Sequence, residues 1–185
     1  CKEDGNIRPN STQEKLNQLK LAFDTKGTVT AATSSPLTDG AAATIICEEN
    51  YAKENNLNIL GRIVSTAVEG CDPDYMGLGP IGASKKALMR ADLSIDKIDI
   101  FELNEAFASQ SLACIKDLGI DQKKVNIDGG ALALGHPLGA TGARITGKAA
   151  DLLRRENKKY ALSTQCIGLG TVSYTHLTLP TNDRV

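Results

Sequence analysis

The sequence lacks a surplus of charge of either sign. It carries 21 Lys and Arg residues against 22 Asp and Glu residues, so its net charge is −1 at pH 7. Binding to nucleic acid depends on an excess of Lys and Arg that contacts phosphates, and we therefore expect no nucleic-acid partner. Hydrophobic residues make up 41% of the chain and charged residues 23%, which is typical of globular proteins and excludes the disordered and fibrous classes.

Paired cysteines and long apolar runs are also missing. The five cysteines are scattered and form no C-x-x-C pair, which argues against a disulfide framework and a zinc site and favours a reducing compartment. No apolar run approaches the ~20 residues that cross a bilayer, so we expect no membrane span. The chain begins with Cys1 in place of Met, and we expect its true start to be missing.

Strand-like and helix-like patterns alternate over most of the chain, which predicts an α/β domain. The predicted strands after residue 58 are 59–68, 98–103, 125–128 and 160–165, and the predicted helices are 81–91, 105–118 and 140–156. Before residue 58 the pattern predicts a short helix through Phe23, a strand at 27–31, a helix near 39–41, a buried apolar element at 44–47 and a helix at 48–55.

Three side chains that could carry chemistry come where strand-like segments end, the edge at which open α/β sheets bind ligands. Asn104 follows the segment 100–103, although an Asn before a helix is equally typical of a cap. Cys166 follows the strand that ends at Gln165, and glycines come directly after it. Cys47 and Cys114 lie inside apolar elements, so we expect them to be buried and structural.

His136 lies in a loop that has five glycines between residues 129 and 142. Glycines let the backbone approach a ligand closely, and an imidazole titrates near neutral pH, so a functional histidine is favoured over a core histidine. A nucleotide-binding loop is the rival interpretation, but the spacing matches neither G-x-G-x-x-G nor a P-loop. An amide, an imidazole and a thiol together are compatible with acyl transfer and equally with a Cys-His-Asn hydrolase.

These segments resemble the thiolase family, whose C-terminal half carries the motifs Asn-Glu-Ala-Phe, Gly-Gly-Ala-x-Ala-x-Gly-His-Pro and Cys-x-Gly-x-Gly in this order. Here they begin at Asn104, Gly129 and Cys166. The resemblance covers about residues 7–170 and implies a layered α-β-α-β-α architecture, present only as its C-terminal part. The domain boundaries that it implies are the end of a loop region at 1–35, the last part of an N-terminal domain at 36–57, and a C-terminal domain at 58–171.

The resemblance also implies a role for each site residue. The nucleophilic cysteine of the family lies in the N-terminal half, which this chain lacks, so the chain alone is expected to be inactive. His136 would activate that cysteine and, with a water held by Asn104, line an oxyanion hole. Cys166 would be the acid and base, with a pKa lowered toward neutrality by the imidazole and backbone donors, and Gly168 would donate its N–H to a second oxyanion hole. Three residues match positions at or near the pantetheine arm of CoA: Ser35, Ala31 and Phe107.

The activity implied by the resemblance is thiolytic cleavage of 3-ketoacyl-CoA by CoA in fatty acid β-oxidation. Acetoacetyl-CoA synthesis and a non-catalytic lipid or acyl-CoA carrier are the alternatives. CoA and acyl-CoA would be substrates, with no permanently bound cofactor and no metal. The resemblance implies a homodimer or homotetramer, with a multifunctional β-oxidation protein as a further partner. The implied location is the cytoplasm, or the mitochondrion or peroxisome if the source is eukaryotic.

One departure from the family pattern concerns the end of the chain. The family places a further glycine at the position of Val172, followed by a last strand. We expect residues 172–185 to be a non-native or frame-shifted tail, with a divergent last strand as the alternative. His176 is therefore given no role.

Overall fold

A four-stranded mixed sheet forms the centre of the protein. The computed structural model describes residues 3–5, 7–168 and 171–178, with residues 171–177 described by their backbone. The strand order is β1-β4-β3-β2; β2 and β3 are parallel, and β4 is antiparallel to both of its neighbours. The strands are β1 (Arg62–Gly70), β2 (Ile100–Leu103), β3 (Tyr160–Ile167) and β4 (Thr171–Thr178).

Helices cover both faces of this sheet. The described α-helices are α1 (Gln13–Asn17), α2 (Glu49–Glu54), α3 (Gly79–Arg90), α4 (Ala108–Leu118), α5 (Ala131–Leu134) and α6 (Thr141–Arg155). Short 3-10 helices span Ala31–Thr33, Pro73–Leu78, Ile95–Lys97 and Gln122–Lys124.

The core is divided by the sheet into two apolar clusters. On one face, Ala83, Ala87 and Leu88 of α3 pack against Phe101 and Leu162. On the other face, apolar residues of α6 pack against Ile100 and Ala161. Neighbouring residues 100 and 101 thus face opposite clusters, as side chains of a strand do, and the α/β class predicted from the sequence is confirmed. The α6 residues in the second cluster are Ala149, Ala150, Leu152 and Leu153.

Two segments predicted as strands are not strands. In the segment 27–31, Thr30 forms an isolated bridge with Leu21, and Ala31 begins a 3-10 helix. Residues 125–128 form only a single parallel bridge from Val125 to Phe101. Asn126 has φ +47°, which turns the backbone out of the extended conformation directly after that bridge. A positive φ at a non-glycine residue has no reliable signature in the sequence, and this explains the wrong prediction.

The predicted helix near 39–41 and the predicted buried element at 44–47 are also wrong. Residues 39–47 have no regular secondary structure, Ile45 is 94% exposed, and Cys47 is exposed as well. Apolar residues form a buried element only where a second element covers them. Cys114, by contrast, is fully buried, as expected.

Residues 171–178 form β4, which lies between β1 and β3. The boundary proposed at residue 172 and the non-native origin of the tail stay predictions, and residues 179–185 lie outside the described part of the chain. None of the helices that the structure describes is long and apolar enough to cross a membrane.

Glu102 is a buried carboxyl group in β2. Its side chain is 2% exposed, and Oε1 has no hydrogen-bond partner in the described structure. Burial raises the pKa of Glu102 to about 7, although the positive charges of Arg144 and Lys148 oppose this shift. The carboxyl group therefore takes up a proton far more readily in the folded chain than in the unfolded chain.

This shift predicts a pH-dependent contribution to stability. A raised carboxyl pKa means that the folded chain binds more protons than the unfolded chain, so stability is lost as pH rises through the folded pKa. We expect the free energy of unfolding of Glu102→Gln, relative to wild type, to rise by about 2–3 kcal/mol between pH 5 and pH 8. Urea unfolding at the two pH values measures it. Glu54→Gln, at an exposed position, is the control. The prediction would be contradicted if the difference in unfolding free energy between Glu102→Gln and wild type did not change with pH.

Candidate active site

Asn104 is placed by the parallel pairing of β2 and β3. Directly after β2, its backbone N–H donates to the carbonyl of Thr164 at 2.9 Å. The side chain is 1% exposed, and its Nδ2 lies 3.3 Å from Nε2 of His136. The helix-cap alternative for Asn104 is wrong, since α4 begins at Ala108 and its cap residue is Phe107.

His136 is held by hydroxyl groups on two sides. Its backbone N–H donates to Oγ1 of Thr38 at 3.2 Å, and its ring Nδ1 lies 2.7 Å from Oγ1 of Thr141. The Thr141 hydroxyl donates a hydrogen bond to the carbonyl of Pro137 at 3.1 Å, so its oxygen accepts a hydrogen bond from Nδ1–H of the ring. Nε2 then carries the lone pair and accepts from the Asn104 amide.

The ring of His136 is favoured in its neutral form. Burial lowers the pKa of His136, and the charge of Arg144 lowers it further. A neutral ring with its lone pair on Nε2 is the form that a general base requires. The contact between Asn104 and His136 therefore pairs a proton acceptor with an oriented amide donor.

Removal of the Thr141 hydroxyl should have a measurable effect on the ring of His136. Thr141→Val keeps the side-chain shape but removes the hydroxyl, and Thr141 is fully buried. We expect a stability loss of about 1–3 kcal/mol from the unsatisfied Nδ1–H, together with a mixture of the two ring tautomers. Thr141→Ser keeps the hydroxyl and should keep one tautomer. Nitrogen-15 NMR of the ring checks both, and an unchanged tautomer in Thr141→Val would contradict the assignment.

Close backbone approach explains two of the glycines around His136. Gly135 has φ +96°, and a Cβ there would collide with the side chain of Thr38. A Cβ on Gly130 would collide with the carboxylate of Glu105. Gly139, in contrast, has open space around it. The glycine-rich pattern thus lets this loop pack tightly against two other segments.

Cys166 lies near the end of β3, two residues beyond Thr164, whose carbonyl pairs with Asn104. The sulfur is buried, with the residue 7% exposed, and burial raises the pKa of the Cys166 thiol. The expected lowering of the Cys166 pKa toward neutrality is therefore wrong in this chain. Within the described residues, no hydrogen bond joins Cys166 to His136 or Asn104. Cys166 and Asn104 both lie at the carboxyl ends of parallel strands, β3 and β2.

Gly168 follows Cys166 at the end of β3. It is exposed, and a Cβ there would meet no atom within 4 Å. Its role as an oxyanion donor stays a prediction.

The residues predicted to contact CoA lie beside the Asn104 loop. Ser35 donates from its N–H and its hydroxyl to the carbonyl of Ala106, at 3.0 and 3.3 Å. Ser34 forms an isolated bridge with Phe107, and the ring of Phe107 packs edge-on against Phe23 at 6.1 Å between centroids. Ala31 begins the 3-10 helix four residues before Ser35 and is exposed. The structure therefore brings Ser35 and Phe107 together and leaves Ala31 at the surface nearby.

Four residues that position this site were missed by the sequence analysis. Thr38 and Asn126 have no local signal that links them to it. Glu105 could have been suspected from its place directly after Asn104 in the Asn-Glu-Ala-Phe motif, and Thr141 from its place five residues after His136. No group of His, Cys, Asp and Glu suited to a metal ion is present among the residues described here. The missed residues are Thr38, Glu105, Asn126 and Thr141.

Comparison with known families gives two matches along the chain. The family described as "Thiolase, C-terminal domain" matches residues 57–178, and "Thiolase, N-terminal domain" matches residues 1–50. The 3-ketoacyl-CoA thiolase of Vibrio vulnificus strain YJ016 is 54% identical over 168 residues, which cover 89% of this chain and 43% of that protein. The 3-ketoacyl-CoA thiolase of Cronobacter sakazakii is 55% identical with the same coverage. The chain thus spans less than half the length of these relatives.

Solved structures show the same fold. Human mitochondrial 3-ketoacyl-CoA thiolase in complex with CoA has a TM-score of 0.92 and 45% identity, over 95% of this chain and 45% of that one. The Bacillus anthracis acetyl-CoA acetyltransferase also has a TM-score of 0.92, with 42% identity over the same shares of the two chains.

Proposed function

Since the chain belongs to the thiolase family, we propose that it acts in the thiolytic cleavage of 3-ketoacyl-CoA by CoA, which gives acetyl-CoA and a shortened acyl-CoA. The observation that carries this proposal is the 3.3 Å contact between Asn104 Nδ2 and His136 Nε2. It supplies a neutral base beside an amide donor, which is what deprotonation of a thiol and stabilisation of an oxyanion require. The relatives named 3-ketoacyl-CoA thiolase support the choice of substrate.

In this proposal the chain's residues handle protons and negative charge, while a cysteine outside it supplies the nucleophile. Nε2 of His136 takes the proton of the cysteine thiol as the sulfur bonds to C3 of the substrate, and the C3 oxygen becomes the oxyanion of a tetrahedral intermediate, which Gly168 N–H stabilises. When the bond between C2 and C3 of the substrate breaks, the electron pair moves to the thioester oxygen, where Asn104 and His136 stabilise the enolate. The thiol of Cys166 then delivers its proton to C2 and becomes a thiolate, which takes the proton of the incoming CoA thiol as the CoA sulfur attacks the acyl-enzyme. The shortened acyl-CoA leaves, and the released cysteine sulfur takes its proton back from His136.

Acetoacetyl-CoA synthesis is the second candidate, because the Bacillus anthracis acetyl-CoA acetyltransferase shares the fold at a TM-score of 0.92. The two activities use the same groups in opposite directions. The full-length protein should be assayed for thiolysis of long-chain 3-ketoacyl-CoA and for condensation of acetyl-CoA. Thiolysis of long-chain substrates is the expected result, and activity confined to four-carbon substrates would overturn the choice. Binding of acyl-CoA with neither activity would favour a carrier.

We further propose that the reaction belongs to fatty acid β-oxidation and takes place in a homodimer or homotetramer, without a permanently bound cofactor. A multifunctional β-oxidation protein is a further proposed partner. The proposed location is the cytoplasm, or the mitochondrion or peroxisome if the source is eukaryotic. Size-exclusion chromatography with light scattering tests the oligomer, and a monomer at micromolar concentration would contradict it.

A further inference from the structure

Glu105 joins two segments that each carry one member of the Asn104–His136 pair. It follows Asn104 directly in the chain. Its Oε2 accepts the backbone N–H of Leu132 at 3.0 Å, and its Oε1 accepts the Nδ2–H of Asn126 at 2.7 Å. One carboxylate therefore connects the end of β2 to the glycine-rich loop that leads to His136.

The second partner of Glu105 is itself fixed to β2. Asn126 is buried, its Oδ1 accepts the N–H of Leu103 at 2.9 Å, and its Nδ2 donates to the carbonyl of Leu103 at 2.9 Å. The Asn126 amide thus extends the hydrogen bonding of β2 by one side chain and presents its remaining N–H to Glu105. Both partners of the carboxylate are neutral donors with set positions.

The loop comes close to Glu105 because residue 130 has no side chain. A Cβ on Gly130 would collide with the Glu105 carboxyl group. Leu132, which donates to Glu105, lies in α5, and the chain passes from α5 through Gly135 to His136. A displacement of α5 would therefore move the ring of His136 relative to Asn104.

We propose that Glu105 is a positioning residue, whose carboxylate holds the loop of residues 129–134 against the end of β2 and thereby sets the contact between Asn104 and His136. The expected effect of Glu105 on turnover rests on the proposed thiolase activity, whereas its expected effect on the His136 ring is independent of that activity. Glu105 touches the loop and Asn126, and it acts on the reaction only through the position of the imidazole.

The test compares Glu105→Gln and Glu105→Asp with wild type. Gln keeps the size but replaces one acceptor oxygen with a donor, which opposes either Leu132 N–H or Asn126 Nδ2–H. Asp keeps both acceptors but draws them back. Glu69→Gln is the matched control, because it also weakens a carboxylate that accepts a hydrogen bond, here from Nζ of Lys86 at 2.7 Å. Glu69 lies in β1, far from residues 129–134 along the chain.

Nitrogen-15 NMR of the histidine rings is the first measurement, and only two histidines are present. We expect wild type and Glu69→Gln to show one tautomer of His136 and Glu105→Gln to show a mixture. In the full-length protein we expect kcat to fall about 10- to 100-fold in Glu105→Gln, with KM within about threefold, because a misplaced base slows the chemical step more than it weakens binding. Glu105→Asp should show smaller changes in both.

Several results would overturn the proposal. One is an unchanged His136 tautomer in Glu105→Gln, even if its melting temperature or its turnover falls. Another is the loss of folding in both variants, which would mean that Glu105 holds the whole domain and not the site. A wild-type protein without thiolase activity would instead overturn the proposed function and leave the NMR comparison intact.

Discussion

Replacement of His136 with alanine should lower the turnover of the full-length protein by about 10²- to 10⁴-fold, the usual contribution of a general base or an oxyanion donor. The variant loses the Nε2 lone pair that accepts from Asn104 at 3.3 Å, and with it the group proposed to take the thiol proton. Steady-state thiolysis of a 3-ketoacyl-CoA measures the effect. Near-wild-type turnover would remove His136 from the mechanism.

Two controls separate the chemical role of His136 from a structural one. Circular dichroism should show that the variant keeps its fold, and added imidazole should restore part of the lost rate by occupying the space of the ring. The pH dependence gives a third check. Because burial lowers the pKa of His136 from its ordinary value of 6.5, the acid limb of kcat/KM should lie below pH 6.5. An acid limb above pH 7 would contradict this assignment.

Replacement of Asn126 with alanine should cost on the order of 3–5 kcal/mol of stability, since it leaves the N–H and the carbonyl of Leu103 without partners and removes one donor from Glu105. Leu103 is 3% exposed, so these groups lie in a buried part of β2. Denaturant unfolding measures the loss. A cost below about 1 kcal/mol would show that water or a neighbouring group satisfies them.

Asn157 provides a matched control for Asn126. It also has a positive φ, +50° against +47° for Asn126, but its side chain is exposed after the end of α6. Asn157→Ala and Asn126→Ala therefore share the same backbone cost of alanine in the left-handed region. The difference between the two stability losses isolates the buried hydrogen bonds of Asn126. Equal losses would contradict the assignment.

Much of the domain could be predicted from periodicity. The predicted helix 140–156 corresponds to α6 (Thr141–Arg155), because its apolar residues recur at helical spacing and face one cluster. The predicted strand 160–165 corresponds to β3 (Tyr160–Ile167). Predictions were wrong at 27–31, 39–47 and 125–128, where the conformation depends on which segment covers the chain or on a single positive φ.

The candidate site was predicted as a set of residues but not as a geometry. Motif order identified Asn104, His136 and Cys166, and the first two are in contact as expected. The raised pKa of Cys166 was not predicted, because burial depends on the elements packed around β3 and not on the glycines that follow it. Glu105 and Asn126 were missed because their partners lie 27 and 23 residues away along the chain.

The sequence by itself determined the alternation of strands and helices, the glycines that allow a tight loop, and the chemical types available to the site. Local preferences and side-chain chemistry are properties of short segments, so they can be deduced without knowing what lies opposite. Only the tertiary structure decided that Nδ1 of His136 donates to the Thr141 hydroxyl, that Nε2 accepts from Asn104, and that the Cys166 thiol is buried. Those outcomes are set by distances of about 3 Å between residues far apart in the chain, and only packing of the whole domain fixes such distances.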